Sequence, residues 1–519
     1  MIFHAPEPPV VIPDLALTPF LLARAAVRRE KPAFIDATTG RTVSNGEWAD
    51  SVVKAAAGLA AHGFQKGDVL AIFSPNCPDY AVAFHAVSLL GGINTTVSPL
   101  YTVDELTHQL QDSGARCLVT VPTCVEKARQ AARNAGVREL FVFGEAEGAT
   151  PFQSLFAHGC TPPEVAIDPS QDLVALPYSS GTTGLPKGVM LTHRNLVANI
   201  VQANGALQID ERDTVLGVLP FFHIYGMNVI MNLSLYAGAT VVTMPRFDFE
   251  QCLETLQRFR VTFGYVVPPI VLALAKHPSV EKYQLPHLRC LFSGAAPLKE
   301  NVSDAATARL GCSLRQGYGL TETSPATHIT RTGARMADGS SVGPPVPNTE
   351  AKVVNVVTGA ELGPNQEGEI CVRGPQVMKG YLNRPEATRA MIDAEGWLHT
   401  GDIGYANDNG WFFVVDRLKE LIKYKGLQIA PAELEAVLLG HPSIADAAVI
   451  PLDDDEAGQV PKAFVVLKTN VTTEDILEYV AARVAPYKKL RCVEAIDQIP
   501  KSPSGKILRR LLVEREAAR

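Results

Sequence analysis

The sequence predicts an α/β protein, with a large N-terminal unit built on several sheets and a small α+β unit at the C-terminus. Three observations carry this. Up to Asp172, short apolar runs of strand character alternate with longer stretches of helical period, which argues for largely parallel sheets. After Asp416 the pattern shortens into a helix–strand–strand–helix set that reads as its own unit. The length of 519 residues also exceeds what one ordinary core holds, so several packed units are expected.

Taken in order, GEWADSVVKAAAGLAAHG has helical period, DVLAIFS is a strand ending at Pro75, DYAVAFHAVSLLGG is a helix and ARCLVTV a further strand. A second set follows, with TVLGVLP, ATVVTMP and RCLFSG as strands and FEQCLETLQRF and KENVSDAATARL as helices. The longest apolar segment, Val261 to Ala275, holds Pro268 and Pro269 and is too short to span a bilayer. It reads as a buried strand leading into a helix. From Val342 to Val415 short strands and turns dominate, as in EAKVVNVV, GEICVRG and GWFFVV. In the last unit AELEAVLLG is a helix, DAAVIPL and KAFVVLK are strands, and TTEDILEYVAARV is a helix with threonine available as N-cap. Asp-Arg-Leu-Lys-Glu interrupts the apolar strand before that unit, which sets the expected division at residues 1–416 and 417–519.

Hydrophobic residues make up 46% of the chain and charged residues 19%, the balance of a soluble globular protein. The net charge of −7 comes without a long basic run, which argues against nucleic acid and against an anionic membrane surface as partners. The nine cysteines are scattered with no C-x-x-C pair, so neither a disulfide framework nor a zinc site is expected. Reduced thiols in the cytoplasm fit best. The N-terminus lacks the basic and apolar regions of a secretory signal, and VEREAAR at the C-terminus carries no peroxisomal address.

The chemistry begins at Pro177–Leu196, PYSSGTTGLPKGVMLTHRNL. Ser179, Ser180, Thr182 and Thr183 surround Gly181 and Gly184, and Lys187 follows. Hydroxyls, an ammonium and glycine-freed backbone N–H groups make an anion cradle. With LVALPY before it and NLVANIVQA after it, the loop is expected to join a strand to a helix, a natural place for polyphosphate. It is no Walker A loop, because Pro186 stands where the second glycine belongs. A plain flexible turn would need neither the lysine nor the ordered flanks.

Arg315–Pro325, RQGYGLTETSP, sets an aromatic, glycines, a threonine and a glutamate in succession. Such a string can stack a base, place a hydroxyl on phosphate and hold Mg²⁺ through a carboxylate. Alone it would read as a turn with a helix cap. Gly401-Asp402, the basic DRLKELIKYKGLQ at Asp416–Gln428 and PKSPSGKILR at Pro500–Arg509 would likewise each pass for solvated turns. His223, in LPFFHIYGMN, would by itself be a packed core histidine.

Together these strings resemble the adenylate-forming superfamily of acyl-CoA synthetases, peptide-synthetase adenylation domains and firefly-type luciferases, over nearly the full chain. FFHIYG, SGAAPL and VDRLKELIKYKG are most similar to the 4-coumarate–CoA ligase group. The resemblance implies an N-terminal domain of two αβ sheets plus a small β-barrel, and a mobile C-terminal domain hinged near Lys419. It implies an acid–thiol ligase using ATP, Mg²⁺ and CoA, with a small carboxylic acid as substrate and no obligatory protein partner.

Residue by residue, the resemblance gives nucleotide contacts to Ser179, Ser180, Gly181, Thr182, Thr183, Gly184, Lys187, Gln316, Gly317, Tyr318, Gly319, Thr321, Asp402, Arg417 and Lys419. Tyr318 would pack on adenine, Asp402 and Arg417 would meet ribose, Thr321 the α-phosphate, and Glu322 Mg²⁺. Lys506 would serve adenylation, while Lys423 and Gln428 would meet the adenylate in the thioester-forming orientation. His223, Tyr225, Val229, Phe292, Gly294, Ala295, Gly317 and Ala326 would line the acyl site, and Arg246, Lys425 and Gly426 would touch CoA. An aromatic acid of the cinnamate type is the expected substrate. The alternatives are a medium- or long-chain fatty acyl–CoA ligase and an acyl-AMP ligase that loads a carrier protein.

Overall fold

The structure is a computed structural model. It describes the whole chain except residues 160, 180–185, 297, 299, 332–339, 419, 425–426, 455–456, 485, 503–504 and 519, and gives only the backbone of residues 158, 423, 427 and 428. Two large sheets form the N-terminal part. One centres on the parallel strands Ile93–Val97, Val69–Phe73, Ala115–Thr120 and Glu139–Val142. Every residue of Val69–Phe73 is buried, as expected of a strand with helices on both faces. The other carries parallel Pro32–Asp36, Thr240–Thr243, Thr214–Gly217, Phe263–Val266, Cys290–Ser293 and Ser313–Gly319, and ends in antiparallel Ala326–Ile329.

A third, wholly antiparallel sheet of five strands occupies the place expected for the barrel: Ile2–His4, Glu350–Val354, Gly368–Arg373, Leu398–Ala406 and Phe412–Arg417. Beyond it lies a smaller sheet of Leu427–Ile429, Ile422–Tyr424, Gly458–Leu467, Ile444–Asp454 and Cys492–Ala495. Ile422, Ile429, Leu434, Ile444, Ile476 and Val480 give it a core of its own.

Helix starts follow local chemistry. Ser44 and Glu47 form a capping box at Asn45–Ala61, and Thr192 and Asn195 form one at His193–Leu207. Proline opens Pro78–Leu89, Pro268–Lys276 and Pro431–Leu439, where its missing N–H costs nothing. Tyr225–Asn232 is π-helical and fully buried, a rare winding that is frequent at functional sites. The described cysteines are all free thiols. No helix among the described residues is long and apolar enough to cross a membrane.

One sequence expectation fails. The glycine-rich loop does not lead into a helix. It is followed by the strand Lys187–Thr192, which pairs antiparallel with Tyr178–Ser179 and with Leu173–Ala175. Strands Tyr178–Ser179 and Lys187–Thr192 therefore flank the loop, and the helix starts only at His193. KGVMLT buries four of its six residues without strict alternation, so its strand signal is weak and the conspicuous helical run after it conceals it.

Candidate active site

The three N-terminal sheets converge on Glu322, in a short turn at Thr321–Thr323 after the strand Ser313–Gly319. Ser179 Oγ donates to Glu322 Oε1 at 2.9 Å, and Tyr381 Oη donates to the same oxygen at 2.8 Å. Tyr381 arrives because Gly380–Tyr381 pairs with Val189 and Met190 on the hairpin. Its ring also lies 5.1 Å from Lys187 Nζ. Glu322 is buried as a residue, and among the described residues no donor reaches its Oε2, so one carboxylate oxygen remains for a cation. Thr321 lies half-buried beside it. Ser180, Gly181, Thr182, Thr183 and Gly184 lie outside the described residues.

The turn is held from behind by amides. Asn228 Nδ2 donates to the Ser324 carbonyl at 2.7 Å, and Asn199 pairs with both backbone groups of Ala326 at 2.7 and 3.1 Å. Asn228 in turn takes a bond from Asn232, whose Oδ1 faces His85 Nε2 at 3.1 Å. Burial pushes the His85 imidazole down to about 3, so this relay is neutral. Gly319 has a packing reason as well: a β-carbon there would lie 2.0 Å from the Pro325 carbonyl oxygen.

A second cluster forms where the third sheet meets this turn. Asp402 and Arg417 are directly opposed on neighbouring strands, with Arg417 Nε 3.1 Å from Asp402 Oδ1. Tyr318 Oη donates to Asp402 Oδ2 at 2.6 Å. Burial raises the Asp402 carboxyl pKa, against the pull of Arg417, while Asp402 keeps the Arg417 guanidinium firmly charged. The turn before Asp402 is fixed by Gly401, at φ +67°, whose N–H donates to Glu369 Oε1 at 2.9 Å. Gln316 is buried, its backbone N–H bonded to Thr330 Oγ1 at 2.7 Å.

Lys506 reaches this cluster from the C-terminal unit. Its turn is closed by Ser502 N–H to the Lys506 carbonyl at 2.8 Å, with Gly505 at φ +80°. Gly505 sits against the N-terminal part, since a β-carbon there would lie 3.5 Å from the Pro269 ring. Burial lowers the Lys506 pKa, and Arg417 lowers it further; Asp402, Glu322 and Glu420 pull the other way. Lys506 thus shares one electrostatic neighbourhood with Arg417, Asp402 and Glu322, over three hundred positions along the chain from Ser179.

The expected acyl-site residues also gather. Tyr225 and Val229 lie on the π-helical turn, and Tyr225 Oη donates to the Phe292 carbonyl at 3.1 Å. The Tyr225 and Phe292 rings meet edge-on at 6.5 Å. Glycine is needed at Gly317, where a β-carbon would lie 2.4 Å from the Phe292 ring, and one at Gly294 would press on Tyr225 at 3.3 Å. Ala295 holds φ +71°, a left-handed conformation uncommon outside glycine. Ala326 is buried at the edge of the same sheet. His223 Nδ1 accepts the Tyr225 N–H at 3.2 Å, and burial, with a lesser push from Lys506, takes its pKa down to about 3. His223 is therefore neutral at ordinary pH.

The remaining expected residues stand apart. Arg246 is exposed after Thr240–Thr243. Lys423 and Gln428 oppose each other across the hairpin of Ile422–Tyr424 and Leu427–Ile429, with side chains outside the described residues, as are Lys419, Lys425 and Gly426 altogether. Sequence reasoning missed Tyr381, Asn199 and Asn228. Nothing local marks them, since each matters through long-range bonds to the 322–326 turn.

The AMP-binding enzyme family matches residues 21–382, and the AMP-binding enzyme C-terminal domain matches residues 433–506. The 4-coumarate–CoA ligase 5 of Oryza sativa subsp. japonica is 45% identical over 100% of this chain and 98% of its own length. The 4-coumarate–CoA ligase of Pinus taeda is 44% identical, again over 100% of this chain and 98% of its own. Among solved structures, the anthranilate–CoA ligase AuaEII in complex with anthranoyl-AMP superposes with a TM-score of 0.90 at 25% identity, covering 98% of this chain and 99% of that one. O-succinylbenzoate–CoA synthetase (MenE) from Bacillus subtilis, in complex with ATP and magnesium ion, gives a TM-score of 0.84 at 32% identity over 95% and 99% of the two chains. The chain belongs to the AMP-binding enzyme family, among its AMP-forming CoA ligases.

Proposed function

We propose that this ligase activates an aromatic acid of the 4-coumarate type and transfers it to CoA. The observation that carries the reading is the convergence of Lys506 with Arg417, Asp402 and Glu322 in one electrostatic neighbourhood. In the first step a carboxylate oxygen attacks the α-phosphorus of ATP and the bond to the β-phosphate oxygen breaks, releasing pyrophosphate. Two anions must meet, so fixed positive charge and N–H donors are the physical requirement. Lys506 supplies charge at the α-phosphate, Lys187 and the Ser/Thr-Gly loop hold the departing phosphates, and Thr321 positions the phosphoryl group. Asp402 and Arg417 orient the ribose, with Gln316, Gly317, Tyr318 and Gly319 along the base.

Glu322 fits Mg²⁺, because one of its carboxylate oxygens is fixed by two hydroxyls and the other has no described donor. When bound, the ion draws charge from the phosphate oxygens. In the second step the CoA sulfur attacks the acyl carbon and the bond to AMP breaks. Lys506 then has to leave, and the division of the chain near Lys419 supports a rotation that brings Lys423, Gln428, Lys425 and Gly426 forward, with Arg246 toward the CoA phosphates.

The aromatic preference rests on the relatives' names and on the edge-on Tyr225 and Phe292 rings beside Gly294, Ala295 and Gly317. A flat ring slides between such walls more readily than a flexible chain packs against them. The test is AMP release with ATP, CoA and a panel of cinnamates, benzoates and fatty acids. Hydroxycinnamates should give the highest kcat/KM, with release dependent on CoA. Faster turnover of fatty acids would overturn the substrate, and release indifferent to CoA would favour a carrier-protein acceptor. We place the reaction in the cytoplasm, where the free thiols of the described cysteines would stay reduced.

A further inference from the structure

The third sheet carries a cluster that neither half-reaction uses. Glu369 and Cys371 lie two positions apart on one strand, where the pairing shifts register, and Cys371 is directly opposite His399 on the next strand. His399 Nδ1 is 2.9 Å from Glu369 Oε2 and 3.5 Å from Cys371 Sγ, and the three donor atoms all lie within 4.8 Å of one another. Around a tetrahedral ion with bonds of about 2.0–2.3 Å, neighbouring donors stand roughly 3.3–3.7 Å apart, so small shifts suffice.

We propose that Glu369, Cys371 and His399 form a binding site for a borderline-soft divalent cation of the zinc type. Nitrogen, thiolate and carboxylate donors select such an ion over Mg²⁺, which takes oxygen ligands. The surroundings match a metal site's outer shell. His399 Nε2 faces Asp393 Oδ2 at 3.5 Å, and Asp393 is itself fixed by the N–H groups of Glu395 and Trp397, each at 2.9 Å. A carboxylate behind the second ring nitrogen is the usual support for a histidine ligand. Glu369 is likewise anchored by Gly401 N–H. Cys371 is buried, whereas Glu369 and His399 are half-buried and admit an ion from solvent. Binding displaces the thiol proton to solvent and leaves a sulfur–metal bond. The spacing rules that argued against zinc in the sequence fail here because the donors meet across strands. Glu369 touches the turn before Asp402, so the ion would sit beside the ribose pair without joining it.

Cobalt(II) is the probe, added to the full chain with Mg²⁺ and ATP present so that oxygen sites are already filled. One equivalent should produce a thiolate-to-cobalt charge-transfer band, displaced by zinc. The band should be lost in Cys371→Ser and reduced at least tenfold in apparent affinity in His399→Gln and Glu369→Gln. Cys492→Ser, which removes the exposed thiol, should keep it. No band at one equivalent in the parent overturns the site. So does a band that survives Cys371→Ser or vanishes with Cys492→Ser. Thermal melting of each variant without cobalt separates a lost ligand from a lost fold.

Discussion

At the scale of single residues, the site depends on where charge is held away from water. Lys506 is the sharpest case, because burial and Arg417 both press it toward neutrality while its proposed task needs the cation. Lys506→Ala should slow acyl-AMP formation by roughly 10²–10³-fold, the loss seen when one preorganised donor is removed. Thioester formation from supplied acyl-AMP should survive. Pyrophosphate exchange and a thioester assay separate the two; unchanged exchange would refute the role. The sign of the pH effect follows from the shift. With its pKa lowered in the free enzyme, Lys506 loses its proton at lower pH than an ordinary lysine at 10.5, so the alkaline limb of kcat/KM for adenylation should fall below that value. Lys506→Arg, if active, should move the limb upward.

At the scale of elements, what matters is how strands deliver hydroxyls and amides to one short turn. Tyr381 reaches Glu322 only because Gly380–Tyr381 adds to the hairpin strand Lys187–Thr192. Tyr381→Phe keeps the ring over Lys187 and removes one donor to a carboxylate, a bond worth about 1.5–3 kcal/mol. Adenylation kcat/KM should drop about 10–100-fold, with a small change in melting temperature. An unchanged kcat/KM would mean that Tyr381 does not hold Glu322 in the working enzyme. Much of this level was legible in the sequence. Alternating periods gave the parallel strands, and a threonine cap starts the helix Thr473–Ala481 as expected. What stayed hidden was pairing: KGVMLT reads weakly as a strand, and nothing in a single sequence places Tyr381 or Asn228 beside a turn from another element. Ser179, Glu322, Asp402 and Lys506 were found through motifs, and the fold brings them together for reasons no motif states.

At the scale of the whole molecule, the C-terminal unit has its own core yet is tied back to the end of the third sheet. Asp416 Oδ2 accepts the Ala432 N–H at 2.9 Å, and Arg509 makes paired 2.8 Å bonds to Glu435 while also meeting Glu420. These bonds flank Lys419, the proposed pivot. Lys419→Pro should spare pyrophosphate exchange and slow thioester formation at least tenfold; equal loss of both half-reactions would count against a pivot there.

The turn that seats Gly505 on Pro269 has a consequence for the order of events. If Lys506 serves adenylation as proposed, this seating is the geometry of the first chemical step. ATP and acid therefore meet a finished site, whereas the thiol meets one that must first be dismantled. On that mechanism, time spent in the first geometry would shield the mixed anhydride until the small unit turns away.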